Sequence, residues 1–298
     1  MALPRFGTVL TAMVTPFAPD GSIDFDVAAQ IARFLVEQGC EGLVIAGSTG
    51  EGSALSDEEK LDLFSCVAQA VTVPVLAGST SSDTARSVAL TQRVAATGAA
   101  GVLATTPAYA RPSQAGIAAH FAAVANATKL PIMLYDIPSR TGRKIDSATT
   151  IGLVRTLANV IAIKDASGDL VEAAHSKAVL GDELELYSGD DSVLLPFMAI
   201  GAVGIVSVAA HWATPEFVAL VRSVEKGDWD KAREYNERLA PSCAWESTAL
   251  YPNPIPAKAA LRAQGMAVGQ CRLPLGPSDA TCDAEAAVIV ASLRATRG

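Results

Sequence analysis

Lys164 is the residue whose place in the sequence points most directly to chemistry. It ends the apolar run 160–164, Val-Ile-Ala-Ile-Lys, where a buried cation without a partner is costly. Burial favours the neutral amine, and a neutral amine can attack a carbonyl to form a Schiff base. A lysine that reaches solvent from a strand end, or that pairs with a carboxylate, fits the same pattern, so the residues alone leave these interpretations open.

Tyr135 and Arg140 are candidates for proton transfer and for substrate binding. Tyr135 closes another apolar run, and Arg140 lies in the turn-rich segment after it. Imine formation needs protons delivered and removed, which a phenol can do, although a core tyrosine with its hydroxyl capped by backbone is equally consistent. The planar guanidinium of Arg140 suits a carboxylate, but arginines are also common in surface turns.

Two loops rich in small and hydroxyl-bearing residues are further candidates. The segment 47–51, Gly-Ser-Thr-Gly-Glu, follows an apolar run and precedes a helical pattern, so its hydroxyls and N–H groups could hold a small carboxylate. It lacks the lysine of a phosphate-binding loop, which argues against nucleotides. The segment 106–112 contains Tyr109, whose role could equally be that of a packed aromatic. Taken alone, both patterns are weak.

Short apolar segments alternate with amphipathic ones along most of the chain. Eight of them predict strands, at 8–15, 42–47, 74–79, 101–106, 131–137, 160–164, 184–188 and 204–208. The alternation indicates parallel strands with helices on both faces, in a barrel or a doubly wound sheet. Eight units without G-x-G-x-x-G after the first strand favour a (β/α)8 barrel, in which chemistry lies where the strands end.

Helical patterns separate these strands and then replace them. The patterns at 24–37 and 56–70 are the clearest, and the second opens with the Ser-x-x-Glu of a capping box. Beyond the last strand, helices are predicted at 229–239, 255–264 and 283–297. We therefore predict a catalytic (β/α)8 barrel over 1–227 and a C-terminal helical domain over 228–298.

Charge and hydropathy narrow the possible partners. The 298 residues carry a formal net charge of −8 and contain no basic run, so nucleic acid is not expected to bind. No apolar run approaches the roughly 20 residues needed to cross a bilayer, so no membrane partner is expected. The first residues lack a secretory signal pattern, which predicts a cytoplasmic location.

Cysteines and histidines give no sign of a metal site or of a disulfide framework. The cysteines are Cys40, Cys66, Cys243, Cys271 and Cys282, and the histidines are His120, His175 and His211. Neither set has the spacing of metal ligands, and the odd number of dispersed cysteines does not suggest pairing. We expect inert thiols, structural histidines, no metal and no cofactor.

Six short blocks occur in order along nearly the whole chain. They are G-S-T-G-E at 47–51, T-P-A-Y-A-R-P-S-Q at 106–114, L-Y-D-I-P-S-R-T-G at 134–142, I-K-D-A-S-G at 163–168, S-G-D-D at 188–191 and N-P-I-P at 253–256. In this order they resemble the dihydrodipicolinate synthase family, which also contains N-acetylneuraminate lyases and sugar-acid aldolases or dehydratases. The resemblance implies a (β/α)8 barrel with C-terminal helices that works as a homotetramer, a dimer of dimers.

The same resemblance implies roles for four catalytic residues. Lys164 would form the imine with pyruvate, and Tyr135 would move the protons. Ser48 and Tyr109 would complete a hydroxyl relay, with Tyr109 reaching in from a neighbouring subunit. Ser48 replaces the threonine usual in the synthases, but its hydroxyl can still donate and accept, so we expect only a modest effect on the rate.

Four further residues match substrate-binding positions of the family. Thr49 would bind the pyruvate carboxylate, while Gly189 and Val206 would lie beside the imine or contact it through backbone atoms. Arg140, in its P-S-R-T-G context, would bind the carboxylate of L-aspartate 4-semialdehyde, a role that sialate lyases lack. The activity implied is condensation of pyruvate with this aldehyde to 4-hydroxy-tetrahydrodipicolinate, in lysine (diaminopimelate) biosynthesis.

Two other functions stay open on the sequence. Another pyruvate-dependent lyase of the family would share Lys164 and Tyr135 but accept a different aldehyde, and Arg140 favours the synthase. A ligand-binding regulator without turnover would be expected to lose its catalytic groups, whereas all of them are suitable here.

The resemblance also bears on feedback by L-lysine, which many members bind at a subunit interface. Arg86 aligns with a glutamate that receives the inhibitor's ammonium group, and Ser82 aligns with an asparagine. Asp57 and Lys60 replace histidines found in some sensitive enzymes, and Ala108 replaces an aromatic residue. Because a cation now lies where a cation would bind, we expect insensitivity to millimolar lysine.

Overall fold

The strands close into a single parallel barrel. A computed structural model describes residues 4–296. Its strands are β1 (Val9–Ala12), β2 (Gly42–Ile45), β3 (Val75–Gly78), β4 (Gly101–Thr105), β5 (Ile132–Asp136), β6 (Val160–Asp165), β7 (Glu185–Ser188) and β8 (Gly204–Ser207). They are hydrogen-bonded in sequence order, and β8 pairs with β1 to close the barrel. The predicted (β/α)8 barrel is therefore confirmed, and the doubly wound sheet is excluded.

Helices connect the strands and continue beyond the last one. Those of the barrel are α1 (Phe25–Glu37), α2 (Asp57–Ala70), α3 (Thr84–Val94), α4 (Gln114–Asn126), α5 (Pro138–Thr141), α6 (Ser147–Thr156), α7 (Leu170–Leu180), α8 (Leu194–Ala199) and α9 (Ala210–Glu225). Those of the C-terminal extension are α10 (Trp229–Trp245), α11 (Ile255–Ala263) and α12 (Ala280–Ala295). No helix among residues 4–296 is both long and apolar enough to span a bilayer.

Local sequence signals set the starts of the first two helices. Asp24 precedes α1 and accepts a hydrogen bond from the Val27 N–H. Ser56 and Glu59 form the predicted capping box at α2: the Glu59 N–H donates to Ser56 Oγ, and the Ser56 N–H donates to Glu59 Oε2. These bonds satisfy N–H groups that the first turn of a helix leaves without partners.

The first predicted strand ends earlier in the barrel than the apolar run suggests. Residues 13–15 are buried, but they leave the ladder after one bond from the Met13 N–H to Val44 O. The Val14 N–H donates instead to His211 Nε2 at 3.1 Å, and Thr15 Oγ1 donates to Gly50 O at 2.6 Å. Burial continues because side chains and loops replace the neighbouring strand as hydrogen-bond partners.

The first helix of the extension runs six residues further than predicted, through Pro241. Trp212 Nε1 donates to Ser242 Oγ at 3.0 Å, and the Trp212 and Trp245 rings pack edge to face at 5.8 Å. This tertiary packing outweighs the low helix propensity of proline. The last predicted helix, 283–297, begins three residues earlier, at Ala280, and residue 297 lies outside the described residues.

Strand alternation separates the barrel interior from the layer beneath the helices. Met133 and Tyr135 on β5, together with Ala162 on β6, belong to the interior cluster. Lys164 lies two residues after Ala162, so it faces the same side. Asp136 and Asp165, each one residue further, face the opposite side. The same two strand ends thus supply an amine and a phenol inward and two carboxyls outward.

A buried ion pair docks the extension onto the barrel. Lys258 of α11 lies 2.6 Å from Glu51, and both side chains are only 1% exposed. The Arg272 N–H donates to Glu51 Oε2 at 2.8 Å, and its guanidinium reaches Glu59. Because removing either partner of such a pair leaves a buried charge, the pair fixes the loop after β2 against the extension.

Candidate active site

Lys164 and Tyr135 are neighbours in the ladder between β5 and β6. The Lys164 Nζ lies 4.4 Å from the centroid of the Tyr135 ring, and each residue is 3% exposed. The salt bridges among residues 4–296 do not include Lys164. Neither alternative suggested by the sequence fits, since this lysine neither reaches solvent nor pairs with a carboxylate. It is a buried amine against an aromatic face, an arrangement suited to nucleophilic use.

Gly189 lets the loop after β7 approach the lysine. Its N–H donates to Asp165 O at 2.7 Å. A methyl group at position 189 would lie 2.9 Å from Lys164 Cγ, so a larger residue would displace the lysine stem. Val206 lies in the same interior, buried on β8 and paired with Leu10. Gly189 therefore lies against the stem of Lys164, and Val206 belongs to the apolar lining of the barrel interior.

The loop after β2 holds its hydroxyl residues in a constrained backbone. Ala46 and Glu51, at its two ends, both have φ of 54°, a left-handed conformation that is unfavourable for residues with a side chain. A methyl group at Gly52 would lie 2.0 Å from Ala46 O, so the turn requires glycine. Thr49 is 3% exposed, and its Oγ1 accepts a hydrogen bond from Asn253 Nδ2 at 2.9 Å.

A cavity of about 610 Å³ opens beside this loop, at the ends of β2 to β5. Ser48, Thr106 and Arg140 are among its lining residues, and the buried Thr106 hydroxyl has no partner within the described chain. Lys164 and Tyr135 are not among the lining residues. The cavity therefore brings together a predicted relay hydroxyl and the predicted carboxylate-binding arginine, while the amine lies outside it.

Arg140 projects from the short helix α5 at the cavity. One guanidinium nitrogen, Nη2, donates to Asn253 O at 3.3 Å, and no salt bridge within residues 4–296 involves this side chain. Its remaining N–H groups can donate to a carboxylate that enters the cavity.

Tyr109 is not brought together with the other predicted residues within one chain. Its side chain is 97% exposed and its φ is 70°. The loop that carries it is fastened to the loop after α5, because Arg111 Nε donates to Gly142 O at 3.1 Å. A left-handed, fully exposed tyrosine on a fastened loop is available to another molecule, as the sequence analysis expects for a neighbouring subunit.

Asp191 and Asn253 are site-forming residues to which the sequence analysis gave no role. Asp191 Oδ2 accepts hydrogen bonds from Ser207 Oγ, the Val208 N–H and the Ala209 N–H, and so ties the loop after β7 to the end of β8. Both residues lie in blocks that the resemblance rests on, S-G-D-D and N-P-I-P. Membership in these blocks is the one feature of the sequence that points to the two residues, because their hydrogen-bond partners are distant in sequence.

The pKa values of the outward carboxyls behind the amine and phenol are both raised. The pKa of Asp136 is raised to about 7, mainly by burial and to a smaller extent by the Asp165 charge, against the lowering effect of the Ile145 N–H, which donates to Oδ1 at 3.1 Å. Burial likewise raises the pKa of Asp165, against hydrogen bonds from Ser167. Two paired carboxyls in a buried layer cannot both ionise without cost.

The closed barrel, its C-terminal helices and the buried interior lysine together define one class of barrel proteins. The chain belongs to the dihydrodipicolinate synthetase family, because the sequence model of that family matches residues 5–293. It is 45% identical over 273 residues to the 4-hydroxy-tetrahydrodipicolinate synthase of Moorella thermoacetica, covering 91% of this chain and 92% of that one. It is 43% identical over 281 residues to the synthase of Cyanothece sp., covering 93% and 95%.

Solved structures agree over nearly the full length. The dihydrodipicolinate synthase of Cyanidioschyzon merolae with lysine bound has a TM-score of 0.94 at 38% identity, covering 97% of this chain and 99% of that one. The chloride-inhibited synthase of Acinetobacter baumannii complexed with pyruvate has a TM-score of 0.91 at 30% identity, with coverage of 97% and 99%.

Replacing Asp136 by asparagine should stabilise the protein more at pH 8 than at pH 5. The folded pKa of about 7 lies above the ordinary value of 3.8, so folding favours the protonated form, and wild-type stability falls as the pH rises from 3.8 to about 7 and then levels off. The variant lacks this penalty, which corresponds to roughly 1–3 kcal/mol between the two pH values. The melting temperatures of both proteins at each pH measure the effect.

Asp169→Asn is the matched control. Lys144 lowers the pKa of Asp169, so this carboxylate stays ionised from pH 5 to pH 8, and asparagine keeps the helix cap. Its stability difference from wild type should be the same at both pH values. Equal differences for Asp136→Asn at pH 5 and pH 8 would contradict the assignment.

Proposed function

We propose that this chain condenses pyruvate with L-aspartate 4-semialdehyde to 4-hydroxy-tetrahydrodipicolinate, as a lyase that forms a Schiff base. The observation that carries the proposal is the buried Lys164 amine, which contacts the Tyr135 ring and has no ion-pair partner among the described residues. The names of the relatives in Moorella thermoacetica and Cyanothece sp. support the same activity. The reaction belongs to lysine (diaminopimelate) biosynthesis and needs no cofactor.

In this proposal Lys164 and Tyr135 perform the covalent chemistry. Lys164 Nζ adds to the ketone carbon of pyruvate, and loss of water from the carbinolamine gives the imine. Loss of a proton from the methyl carbon gives an enamine, whose addition to the aldehyde carbon forms the new carbon–carbon bond and restores the imine. The amino group of the aldehyde substrate then adds to the imine carbon and closes the ring, and departure of Lys164 Nζ releases the product and the free lysine. Tyr135 delivers and removes the protons, and Ser48 with a neighbouring subunit's copy of Tyr109 relays them.

Two carboxylate sites select the substrates. Thr49 binds the carboxylate of pyruvate through its hydroxyl, and Gly189 and Val206 lie beside the imine. Arg140 binds the carboxylate of the aldehyde at the cavity, which is supported by a guanidinium without a carboxylate partner in the described part of the chain. This second site separates the proposed activity from that of lyases that act on sugars.

We also propose the assembly and the compartment that the sequence suggests. Residues 1–227 form the catalytic barrel, residues 228–298 form the helical domain, and the protein works as a cytoplasmic homotetramer. The exposure of Tyr109 supports a shared site, because a residue that is 97% exposed in its own chain is available to the site of a neighbouring subunit.

Borohydride added with pyruvate should leave a covalent adduct on Lys164, because reduction converts the reversible imine into a stable amine. Peptide mass spectrometry locates the adduct. The peptide containing Lys258 is an internal control, since that lysine is equally buried but paired with Glu51. An unmodified Lys164 in folded, pyruvate-saturated protein would refute the mechanism and favour a binding protein.

Arg140→Ala should leave borohydride trapping of pyruvate intact while lowering turnover with aspartate semialdehyde strongly. Only the aldehyde loses a charge-assisted hydrogen bond, worth about 1.5–3 kcal/mol, so kcat/KM for the aldehyde should fall roughly 10- to 100-fold or more. Steady-state kinetics with each substrate varied separately measures the effect. Arg155→Ala is the matched control, because its guanidinium contacts the Val179 backbone and does not line the cavity. Unchanged turnover in Arg140→Ala would sink the substrate assignment.

L-Lysine at millimolar concentration should not inhibit the enzyme. Arg86 and Lys60 both line the cavity, and Arg86 is paired with Asp57, its Nη2 lying 2.9 Å from Asp57 Oδ1. An ammonium group of bound L-lysine about 4 Å from the Arg86 guanidinium would be repelled by roughly 1 kcal/mol in water, and by more when partly buried. A steady-state lysine titration tests this. Half-inhibition below about 1 mM, which corresponds to a binding free energy near −4 kcal/mol, would show the interpretation of Arg86 to be wrong. Arg86→Glu should increase the sensitivity of the enzyme to L-lysine.

A further inference from the structure

Asn253 links the two carboxylate-binding residues. It lies between α10 and α11 and is 6% exposed. Its side-chain Nδ2 donates to Thr49 Oγ1 at 2.9 Å, and its backbone oxygen accepts from Arg140 Nη2 at 3.3 Å. A single residue of the C-terminal extension therefore contacts both groups that the proposed function assigns to substrate carboxylates.

The direction of the hydrogen bond to Thr49 matters for an anion. A threonine hydroxyl has one proton and two lone pairs, whereas a carboxylate can only accept. Because Asn253 donates to Thr49, the Thr49 proton is free to be donated elsewhere. If the residue at 253 accepted instead, Thr49 would donate to it and would present only lone pairs to the substrate.

We propose that Asn253 is a positioning residue for pyruvate, which keeps the Thr49 hydroxyl oriented as a hydrogen-bond donor to the pyruvate carboxylate. The inference rests on the proposed function, in which Thr49 binds that carboxylate. Asn253 acts through Thr49 and does not itself touch substrate.

The amide oxygen of Asn253, Oδ1, indicates that asparagine occupies position 253 for function and not for stability. Asn253 Oδ1 is buried and has no hydrogen-bond partner within residues 4–296. Burying an unsatisfied carbonyl oxygen is destabilising, so an amide here is not explained by stability. The value of the side chain lies in its donor.

The fold fixes both ends of the bond. Asn253 precedes α11, whose Lys258 forms the buried ion pair with Glu51, two residues after Thr49. The Asn253 N–H donates to Ser247 Oγ at 3.3 Å, which holds the segment from its other side. Docking of the extension therefore determines the distance between Asn253 and Thr49.

Asn253→Asp tests the proposal because it keeps the shape of the side chain and replaces the donor with an acceptor. We expect the KM for pyruvate to rise about 10- to 100-fold, the range of a lost hydrogen bond to a charged group. The KM for the aldehyde should stay within about twofold, because the backbone oxygen that contacts Arg140 is unchanged. Asn253→Ala removes the donor without adding charge and should shift the pyruvate KM in the same direction by a smaller factor.

Asn159→Asp is the matched control. Its Nδ2 donates to three backbone carbonyls, of Ala125, Thr128 and Leu130, so the same change should lower the melting temperature without a specific rise in the pyruvate KM. A double-mutant cycle with Thr49→Val completes the test: once the hydroxyl is gone, Asn253→Asp should raise the pyruvate KM by no more than about twofold further.

Two outcomes would overturn the inference. The first is a wild-type pyruvate KM in both Asn253→Asp and Asn253→Ala, and the second is an undiminished effect of Asn253→Asp in the Thr49→Val background. Pyruvate-dependent trapping of Lys164 separates this failure from that of the proposed function. If wild-type Lys164 forms no adduct with pyruvate, the proposed function is refuted. If Lys164 is trapped in both wild type and Asn253→Asp, and both proteins need the same pyruvate concentration, only the role of Asn253 is refuted.

Discussion

An amine that is kept out of water needs a protein around it that tolerates the cost of burial. Lys164 has no carboxylate partner within residues 4–296, and the Tyr135 ring offsets only part of the lost solvation. The remaining cost is carried by the stability of the closed barrel, in which every strand has two neighbours and the interior is packed with apolar side chains. The register between β5 and β6 then places the phenol beside the amine.

The two faces of these strand ends are chemically distinct. Inward, the lysine and the tyrosine lie in an apolar interior. Outward, Asp136 and Asp165 are buried beneath helices, and burial raises the pKa of each. Alternation along a strand keeps the carboxylates away from the amine although they adjoin it in sequence. An ion pair between the amine and these two carboxylates is thereby avoided.

The C-terminal extension is part of the site as well as an addition to the barrel. The buried pair of Glu51 and Lys258 fastens it to the loop after β2, and Asn253 reaches Thr49 and Arg140 from it. The positive φ values at Ala46 and Glu51 are unfavourable by themselves and persist because surrounding contacts fix the loop. Rigid support of this kind holds small hydroxyl groups in one orientation.

The sequence by itself determined the order of strands and helices, favoured the barrel, and placed Lys164 and Tyr135 at strand ends and Arg140 in the segment after one of them, because periodicity and local signals are short-range properties. It also predicted the capping box at Ser56, which depends on neighbours three residues apart. Only the tertiary structure decided that Lys164 forms no ion pair within residues 4–296, that Tyr109 projects from its own chain, and that the helix from Trp229 continues through Pro241. Each of these depends on contacts between residues far apart in sequence. The bond from Asn253 to Thr49 spans 204 positions, and no local pattern in either segment encodes it.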